Sequence, residues 1–219
     1  FGDVSISSFH AAHIISTAGT GGGVYTNDPL IASNARQYRD WGRQADTTLP
    51  YQGTDLPADY NPRFIYDKIG YNLQILELQA AMGRVQLKKT EKIKKLRKKH
   101  FDYLYKGLSK HPELIMPVSP KGADVCWFAF PLSLASTNEY PISRGVVVSK
   151  LEKAGIETRS MFAGNIIKHS AYKNSKYRVS GNLIGANYIL RNSFWISCHP
   201  RLTKEDMDYI IKTFDDIFA

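Results

Sequence analysis

The most informative part of this chain is the stretch Ser7-Ser8-Phe9-His10-Ala11-Ala12-His13-Ile14-Ile15-Ser16-Thr17, which is followed by the glycine run of residues 19–23 and by Val24-Tyr25-Thr26. Val4, Ile6 and Ser8 alternate along the chain, which predicts a strand over residues 3–9. The glycine run predicts a tight turn into a short second strand, Val24–Thr26. It is not a Walker phosphate loop, because no Gly-Lys-Ser/Thr follows it.

This stretch resembles the lysine motif of the fold-type I, pyridoxal-phosphate sugar aminotransferases (the DegT/DnrJ/EryC1/StrS family), which act on nucleotide-linked sugars. The family motif reads Ser-Phe-His-x-x-Lys and then Gly-Glu-Gly-Gly, and here His13 stands at the lysine position. A lysine there forms a Schiff base with the cofactor and supports transamination, whereas an imidazole moves protons. Histidine at this position is typical of the nucleotide-linked 4-keto-6-deoxyhexose 3-dehydratases.

Further segments resemble the same family, so that the resemblance covers nearly the whole chain. These segments are Arg39-Asp40-Trp41-Gly42-Arg43, Gly70-Tyr71-Asn72-Leu73-Gln74-Ile75, Leu78-Gln79-Ala80-Ala81, Thr158-Arg159 and Phe162-Ala163-Gly164-Asn165. Each of them alone is a weak signal. Together they form a specific match, and the last segment looks more like the dehydratases than the aminotransferases.

The resemblance implies a role for each of several residues. His13 is the acid/base group of a C3 dehydration that uses pyridoxamine or pyridoxal 5'-phosphate. Ser8 contacts the cofactor phosphate, since a hydroxyl at the end of a strand can donate to a phosphate oxygen. Asn72 and Gln74 reach across a homodimer interface to the cofactor phosphate of the partner. Arg43 pairs with a phosphate or with the substrate diphosphate, or else forms a surface salt bridge.

The resemblance also implies substrate contacts and leaves the substrate open. Arg159 and Asn165 line the sugar or nucleotide side of the site. The reaction belongs to the dideoxysugar pathways that supply lipopolysaccharide O-antigen. The segment from Gln44 to Lys68 lacks cysteine, although the CDP-sugar enzymes carry iron–sulfur ligands there, so no cluster is expected. This favours the GDP-sugar type, in which glutamate restores the amine form of the cofactor. The segments Arg39–Arg43 and Phe162–Asn165, in contrast, look closer to the CDP enzymes, so the nucleotide stays open.

The implied fold is α/β: the C-terminal part of the cofactor-binding large domain over residues 1–110, followed by a small α/β domain over residues 111–219. Asp28 and Pro29 predict the start of a helix that runs to about Tyr38. Helices are also predicted over about 74–87 and 90–110, from Ser143 to Gly155, over Gly181–Leu190 and over Thr203–Phe218. Strands are predicted over Trp127–Leu134, Ile156–Arg159 and Phe194–Ser197, and residues 42–69 form a long, ordered functional loop.

The composition is typical of a globular protein. The chain has 219 residues, and 43% of them are hydrophobic, which argues against disorder. No apolar run approaches the roughly 20 residues of a membrane span, and no signal peptide is visible, so we expect a cytoplasmic protein. The start at Phe1 reads like the middle of a domain, and we therefore expect a fragment that binds cofactor poorly and is inactive alone.

The net charge of +9 is concentrated in the lysine-rich segment of residues 88–100. Ile93, Leu96, His100, Leu104 and Leu108 recur there at helical spacing, so that the lysines are left on a solvated outer face. Two other interpretations stay open: a positive field that attracts a nucleotide diphosphate sugar, or a non-catalytic, nucleic-acid-binding remnant. An aminotransferase that tolerates histidine is the alternative enzyme.

The two cysteines, Cys126 and Cys198, are too few for a disulfide framework or for a four-cysteine metal site. We expect two reduced thiols and no metal.

Overall fold

The first unit begins with a hairpin that holds the ends of the histidine stretch. A computed structural model describes residues 2–44, 55–57, 59–135 and 141–219. Strand β1, Ser5–Ser8, pairs antiparallel with β2, Gly22–Tyr25, so that Ser8 lies opposite Gly22. Both predicted strands are confirmed, and β2 begins two residues earlier than expected. The thirteen residues from 9 to 21 therefore form the loop that connects the two strands.

Two α-helices lie in the described part of this unit. Helix α1, Pro29–Arg39, begins where the sequence predicts, because the Oδ1 atom of Asp28 accepts hydrogen bonds from Leu30 N at 2.8 Å and Ile31 N at 3.2 Å. Helix α2, Glu77–Leu87, lies within the predicted helix over 74–87. Its first turn is closed by the side chain of Gln79, whose Oε1 accepts from Leu76 N at 2.9 Å.

Only part of the predicted loop over residues 42–69 is described. Residues 45–54 and 58, which include Tyr51, lie outside the described part of the chain. In the remainder, a 3-10 turn spans Pro62–Phe64, and Asn61 caps it by accepting from Arg63 N at 3.0 Å. Ile65 is buried and 4% exposed. Tyr60, Phe64 and Tyr66, in contrast, are exposed. The order of the whole segment over residues 42–69 stays a prediction.

The second unit is built on a four-stranded antiparallel sheet. Its strands are β3 (Leu114–Ile115), β4 (Phe130–Leu134), β5 (Thr158–Ser160) and β6 (Ser193–Ile196), in the order β3-β4-β6-β5. The short strand β3 has no counterpart in the sequence prediction, because two residues carry no period. Phe130, Leu132, Phe194 and Ile196 point to the same side of this sheet and are at most 1% exposed.

Four α-helices lie in the described part of this unit: α3 (Thr90–Leu108), α4 (Arg144–Lys153), α5 (Ile184–Asn192) and α6 (Lys204–Phe218). Two short 3-10 turns span Ile166–Lys168 and Ser170–Tyr172. Ser143 and Thr203 cap α4 and α6 through hydrogen bonds from Val146 N and Asp206 N, as the sequence predicts. One core joins α3, α4 and α6 to the sheet. Its fully buried members include Leu104, Leu108, Val147, Leu151 and Phe214.

The boundary between the units falls earlier than the sequence suggests. The two compact units are Phe1–Thr90 and Glu91–Ala219, whereas the expected boundary lay at residues 110 and 111. The reason is the packing of α3: Phe101, Leu104 and Leu108 are buried in the core of the second unit. The helix therefore belongs with the sheet that follows it.

The charged segment on α3 is confirmed as a helix, with one exception to its predicted outer face. Lys92, Lys95 and Lys99 are exposed, but Arg97 is only 6% exposed. Its Nη1 atom donates to the carbonyl oxygens of Trp127 at 3.2 Å and Phe128 at 2.5 Å. Buried charge requires such partners, so Arg97 holds the segment that leads into β4. No helix in the described part of the chain is long and apolar enough to cross a membrane.

Candidate functional site

Ser8 and His13 lie in one turn at the end of β1. The hydroxyl oxygen of Ser8 accepts a hydrogen bond from His10 N at 3.3 Å, and His13 N donates to the carbonyl oxygen of His10 at 2.9 Å. Both side chains are exposed. Ser8 and His13, five residues apart in sequence, are thus both bonded to His10, and their side chains lie on a surface that a ligand can reach.

His10 joins these two residues, and the sequence analysis did not single it out. Its ring centroid lies 6.2 Å from that of His13, with the ring planes at 89°. The Nδ1 atom of His10 accepts from Ala12 N at 3.3 Å, so that the neutral ring carries its proton on Nε2. The spacing of His10 and His13 within one motif was the available signal for this pair.

The glycine run holds the turn in place from the other side. Phe9 N donates to Gly21 O at 2.9 Å, and Thr17 N donates to Phe9 O at 3.2 Å. Gly21 has a φ of +107°, and a Cβ atom there would lie 2.6 Å from the hydroxyl of Thr17. Only glycine fits this close approach. Gln79 on α2 then fastens the turn, since its Nε2 donates to Thr20 Oγ1 at 2.6 Å.

Arg43 is surrounded by aromatic rings. The carbon at the centre of its guanidinium lies 4.9 Å from the ring centroid of Trp41, 5.8 Å from that of Phe64 and 5.9 Å from that of Tyr66. A carboxylate oxygen of Asp40 lies 4.0 Å away. The Nε atom of Arg43 is buried without a hydrogen-bond acceptor among the described residues. The guanidinium thus has cation–π partners and retains capacity for an anion.

Asn72 belongs to the same scaffold as Arg43. Asp40 and Asn72 form an isolated antiparallel bridge, and Trp41 N donates to Tyr71 O at 2.9 Å. Gly42 and Gly70 allow this approach, because a Cβ atom on Gly70 would overlap the backbone of Gly42. The side chains of Asn72 and Gln74 are exposed, which is the position that contact with another molecule requires.

Arg159 and Asn165, in the second unit, differ in their surroundings. Arg159 lies on β5, is exposed, and donates from Nη2 to Glu157 Oε1 at 2.9 Å. Asn165 is only 3% exposed, and its Nδ2 donates to Asn187 Oδ1 at 2.8 Å. The Asn165 amide is therefore committed to an internal bond. Its predicted contact with substrate stays a prediction, and the geometry favours a supporting role.

The cysteines are placed as ordinary thiols. Cys126 and Cys198 are both free, and burial raises the pKa of each above its usual value, which keeps the thiols protonated at neutral pH. Within the described ranges, no three His, Cys, Asp or Glu side chains are grouped to hold a metal ion. The predicted lack of an iron–sulfur cluster remains a prediction, since part of the segment from Gln44 to Lys68 lies outside the described residues.

The fold is that of the pyridoxal-phosphate-dependent aminotransferases. The structure of the E. coli GDP-4-keto-6-deoxy-D-mannose-3-dehydratase with bound hydrated PLP matches with a TM-score of 0.82 at 27% identity, over 97% of this chain and 54% of that one. An aminotransferase from Psychrobacter cryohalolentis, at 24% identity, shares the fold with a TM-score of 0.82, over 100% of this chain and 56% of its own.

Residues 1–215 match the DegT/DnrJ/EryC1/StrS aminotransferase family, and the chain belongs to this family, whose members depend on pyridoxal phosphate. The lipopolysaccharide biosynthesis protein RfbH of Salmonella typhimurium is 37% identical over 100% of this chain and 52% of its own length. The dTDP-4-dehydro-2,6-dideoxy-D-glucose 3-dehydratase of Saccharopolyspora spinosa is 32% identical over 100% and 49%. The chain spans about half the length of these relatives.

Proposed function

We propose that the protein to which this chain belongs catalyses the 3-dehydration of a nucleotide-linked 4-keto-6-deoxyhexose. The observation that carries this proposal is the exposed imidazole of His13 in the turn after β1, at the position where the family motif has lysine. Two relatives named for 3-dehydration support it, one acting on a dTDP sugar and one on a GDP sugar. The name of RfbH supports a place in lipopolysaccharide biosynthesis.

The residues present fit the phosphate end of the cofactor. The oxygen of Ser8 accepts from His10 N, so that the hydroxyl still has its own proton to donate to a phosphate oxygen. The exposed amides of Asn72 and Gln74 supply further N–H donors from a partner subunit. Ser8 with Asn72 or Gln74 would therefore hold the phosphate, and His13 would face the reactive carbon.

The chemistry assigned to His13 is proton transfer. Pyridoxamine phosphate, when bound, supplies an amine for the 4-keto group and a ring that withdraws electrons. The imidazole nitrogen of His13 takes a proton from carbon and later delivers one to the departing C3 hydroxyl. Imidazole is suited to both tasks because its ordinary pKa of about 6.5 lies near neutral pH. Unlike lysine, it has no amine with which to compete for the cofactor carbonyl.

The test compares variants at His13 in the full-length protein. His13→Ala should abolish dehydration and leave cofactor binding largely intact. His13→Lys should attach pyridoxal phosphate covalently through the new amine, which is measured as a change of absorbance when the cofactor is added. His199→Ala is the matched control, because it removes an exposed imidazole from the second unit. Unchanged sugar turnover in His13→Ala would contradict the assignment.

Analysis of the product decides between this proposal and amino transfer. A dehydratase yields a 3-deoxy sugar and releases ammonia, whereas an aminotransferase yields an amino sugar that retains the C3 hydroxyl. We further propose that the enzyme works in the cytoplasm as a homodimer, with glutamate as amino donor. The capacity of this chain to bind cofactor by itself is measured by the same absorbance titration.

A further inference from the structure

The side chain of Gln79 joins two segments that lie far apart in sequence. Its Nε2 atom donates to Thr20 Oγ1 at 2.6 Å and to the carbonyl oxygen of Thr17 at 3.4 Å, both in the loop between β1 and β2. Its Oε1 atom accepts from Leu76 N at 2.9 Å, at the end of the segment over residues 70–76. An amide nitrogen has two hydrogens to donate, and here both are used. One half-buried side chain therefore holds both segments on the first turn of α2.

The loop needs this connection because its backbone is strained beside it. Ala18 has a φ of +58°, in the left-handed region that disfavours a side chain other than glycine. Thr17, before Ala18, is only 3% exposed, and its hydroxyl donates to the carbonyl oxygen of Thr20, after it. Such a conformation persists only where the surroundings impose it. The bonds from Gln79 hold the backbone on both sides of Ala18.

Helix α2 also packs closely against this turn. A Cβ atom on Gly83 would lie 2.8 Å from Thr17 Cγ2, and one on Gly21 would lie 2.6 Å from Thr17 Oγ1. Gln79 and Gly83 are four residues apart and so lie on the same face of the helix. Ile75 reaches the turn as well, since its Cγ2 atom would lie 3.8 Å from the Cβ atom on Gly21. A displacement of the turn would therefore be felt by the helix and by the segment that precedes it.

Gln74 lies between two anchored backbone positions. Leu73 N, one residue before it, donates to the carbonyl oxygen of Arg39 at 2.9 Å. Leu76 N, two residues after it, donates to the side chain of Gln79. The second anchor is a side chain, so that a change at Gln79 releases the backbone there while the bond to Arg39 stays. The side chain of Gln74 is exposed, and its position depends on the backbone between these two bonds.

We infer that Gln79 is a positioning residue for two parts of the cofactor site: its Nε2 group fixes the loop that carries His13, and its Oε1 atom fixes the backbone that presents Gln74. This inference rests on the proposed function and on the shared sites of the homodimer proposed with it. In that dimer His13 serves the site of its own subunit, and Gln74 serves the site of the partner. One side chain therefore adjusts both sites, and it does so through other residues.

Three variants of the full-length protein separate the two connections. Gln79→Met keeps an unbranched side chain of similar length and cannot form the hydrogen bonds. Thr20→Val removes only the hydroxyl to which Nε2 donates. Leu76→Pro removes only the N–H that bonds to Oε1, and proline fits the φ of −79° at this position. Gln86→Met is the matched control, because it makes the same replacement later on the same helix.

Hydrogen exchange of the full-length protein, measured without cofactor or sugar, reports on each connection. Gln79→Met should speed amide exchange roughly fivefold in both residues 9–21 and residues 70–76, which is the effect of one hydrogen bond on a local opening equilibrium. Thr20→Val should speed exchange in the first range alone, and Leu76→Pro in the second range alone. The control should exchange as the unaltered protein does.

Turnover in dimers with one functional site tests whether the two connections serve different sites. One subunit carries His13→Ala, so that the functional site takes His13 from the other subunit and Gln74 from the inactive one. Gln79→Met in the subunit that supplies His13 should lower kcat about tenfold with little change in KM for the sugar, because a displaced acid/base group slows the chemical step. In the inactive subunit it should instead raise about tenfold the pyridoxamine phosphate concentration needed for half-maximal activity.

Thr20→Val should reproduce only the effect on kcat, and Leu76→Pro only the effect on the cofactor concentration. Equal behaviour of Gln79→Met and Gln86→Met, or an effect of Gln79→Met from one subunit alone, overturns the inference. If Gln79→Met dimers do not assemble, the other two variants carry the test, and effects that both arise from the same subunit contradict it. The proposed function fails independently: exchange that responds in both ranges, in a protein that yields an amino sugar with its C3 hydroxyl, contradicts that function alone.

Discussion

The Nη1 atom of Arg97 lies 2.5 Å from the carbonyl oxygen of Phe128 and 3.2 Å from that of Trp127. One buried side chain of a lysine-rich helix thus satisfies two carbonyls of the segment that enters β4. The same segment carries Phe128, whose ring centroid lies 5.5 Å from that of Trp195. A residue that composition places with the solvated charges is therefore part of the interior.

Removing this side chain should destabilise the second unit. Arg97→Met should lower the free energy of unfolding by about 1–3 kcal/mol, because two buried acceptors lose their donors. Urea unfolding followed by the fluorescence of Trp127 and Trp195 measures the effect. Lys98→Met is the control, since it removes an exposed cation one residue later on the same helix. Equal stability of the two variants would show that the carbonyls need no donor.

Asp215 on α6 should make stability depend on pH. The hydrogen bond from Lys110, together with that from His111, holds the pKa of this carboxyl below its ordinary value of 3.8. The stabilisation is therefore present above pH 3.8 and is lost as the pH falls through the lowered pKa. Since Asp215 is 39% exposed, Asp215→Asn should cost only about 0.5 kcal/mol at pH 7.

Thermal unfolding at pH 7 and pH 3 measures this effect. The difference between the unaltered chain and Asp215→Asn should shrink at the lower pH. The control is Asp216→Asn, which changes the exposed carboxylate at the next position. A difference that grows as the pH falls has the opposite sign and contradicts the assignment.

Two glycines of the second unit should respond differently to alanine. Gly155 and Gly164 both have positive φ, at +78° and +60°, so that both variants carry the left-handed cost of roughly 1 kcal/mol. A Cβ atom on Gly164 would also lie 2.7 Å from Leu190 Cα, whereas nothing lies within 4 Å of one on Gly155. Gly164→Ala should therefore unfold at the lower urea concentration. Equal midpoints would mean that the backbone at Gly164 shifts away from Leu190 without a measurable loss of stability.

A shared cofactor site predicts complementation between subunits of the full-length protein. Ser8→Ala and the double variant Asn72→Ala/Gln74→Ala should each be weakly active. In mixed dimers, one site collects both defects and the other has neither, and activity should partly return above that of either parent. Turnover after mixing and reassociation measures the effect. Mixed dimers that form without any gain in activity would place both groups in the same subunit's site.

The cysteine-free segment from Gln44 to Lys68 predicts how the cofactor is restored. Activity of the full-length protein should require pyridoxamine phosphate and an amino donor such as glutamate, and it should be insensitive to iron chelators. Assays with and without glutamate, together with iron and sulfide analysis of purified protein, test this expectation. Stoichiometric iron and sulfide with a need for a reductase would contradict it.

The sequence by itself determined the features that depend on neighbouring residues. Asp28, Ser143 and Thr203 start their helices as predicted, because a capping side chain bonds to backbone N–H groups two or three residues away. The family was also readable from the sequence, since the motif around His13 is contiguous. The proposed reaction class rests on its histidine, through the chemistry of one side chain.

Only the tertiary structure decided which polar residues are buried and which face solvent. The sequence analysis placed Arg97 with the solvated charges, although it lies on the apolar face of the helix, four residues after Ile93 and three before His100. The match at Asn165 gave no sign that its amide bonds to Asn187. The unit boundary at residue 90 and the strand at Leu114–Ile115 likewise arise from packing against partners distant in sequence. The bonding partners of a buried polar residue depend on what the rest of the chain brings to its position, and a local pattern does not contain that information.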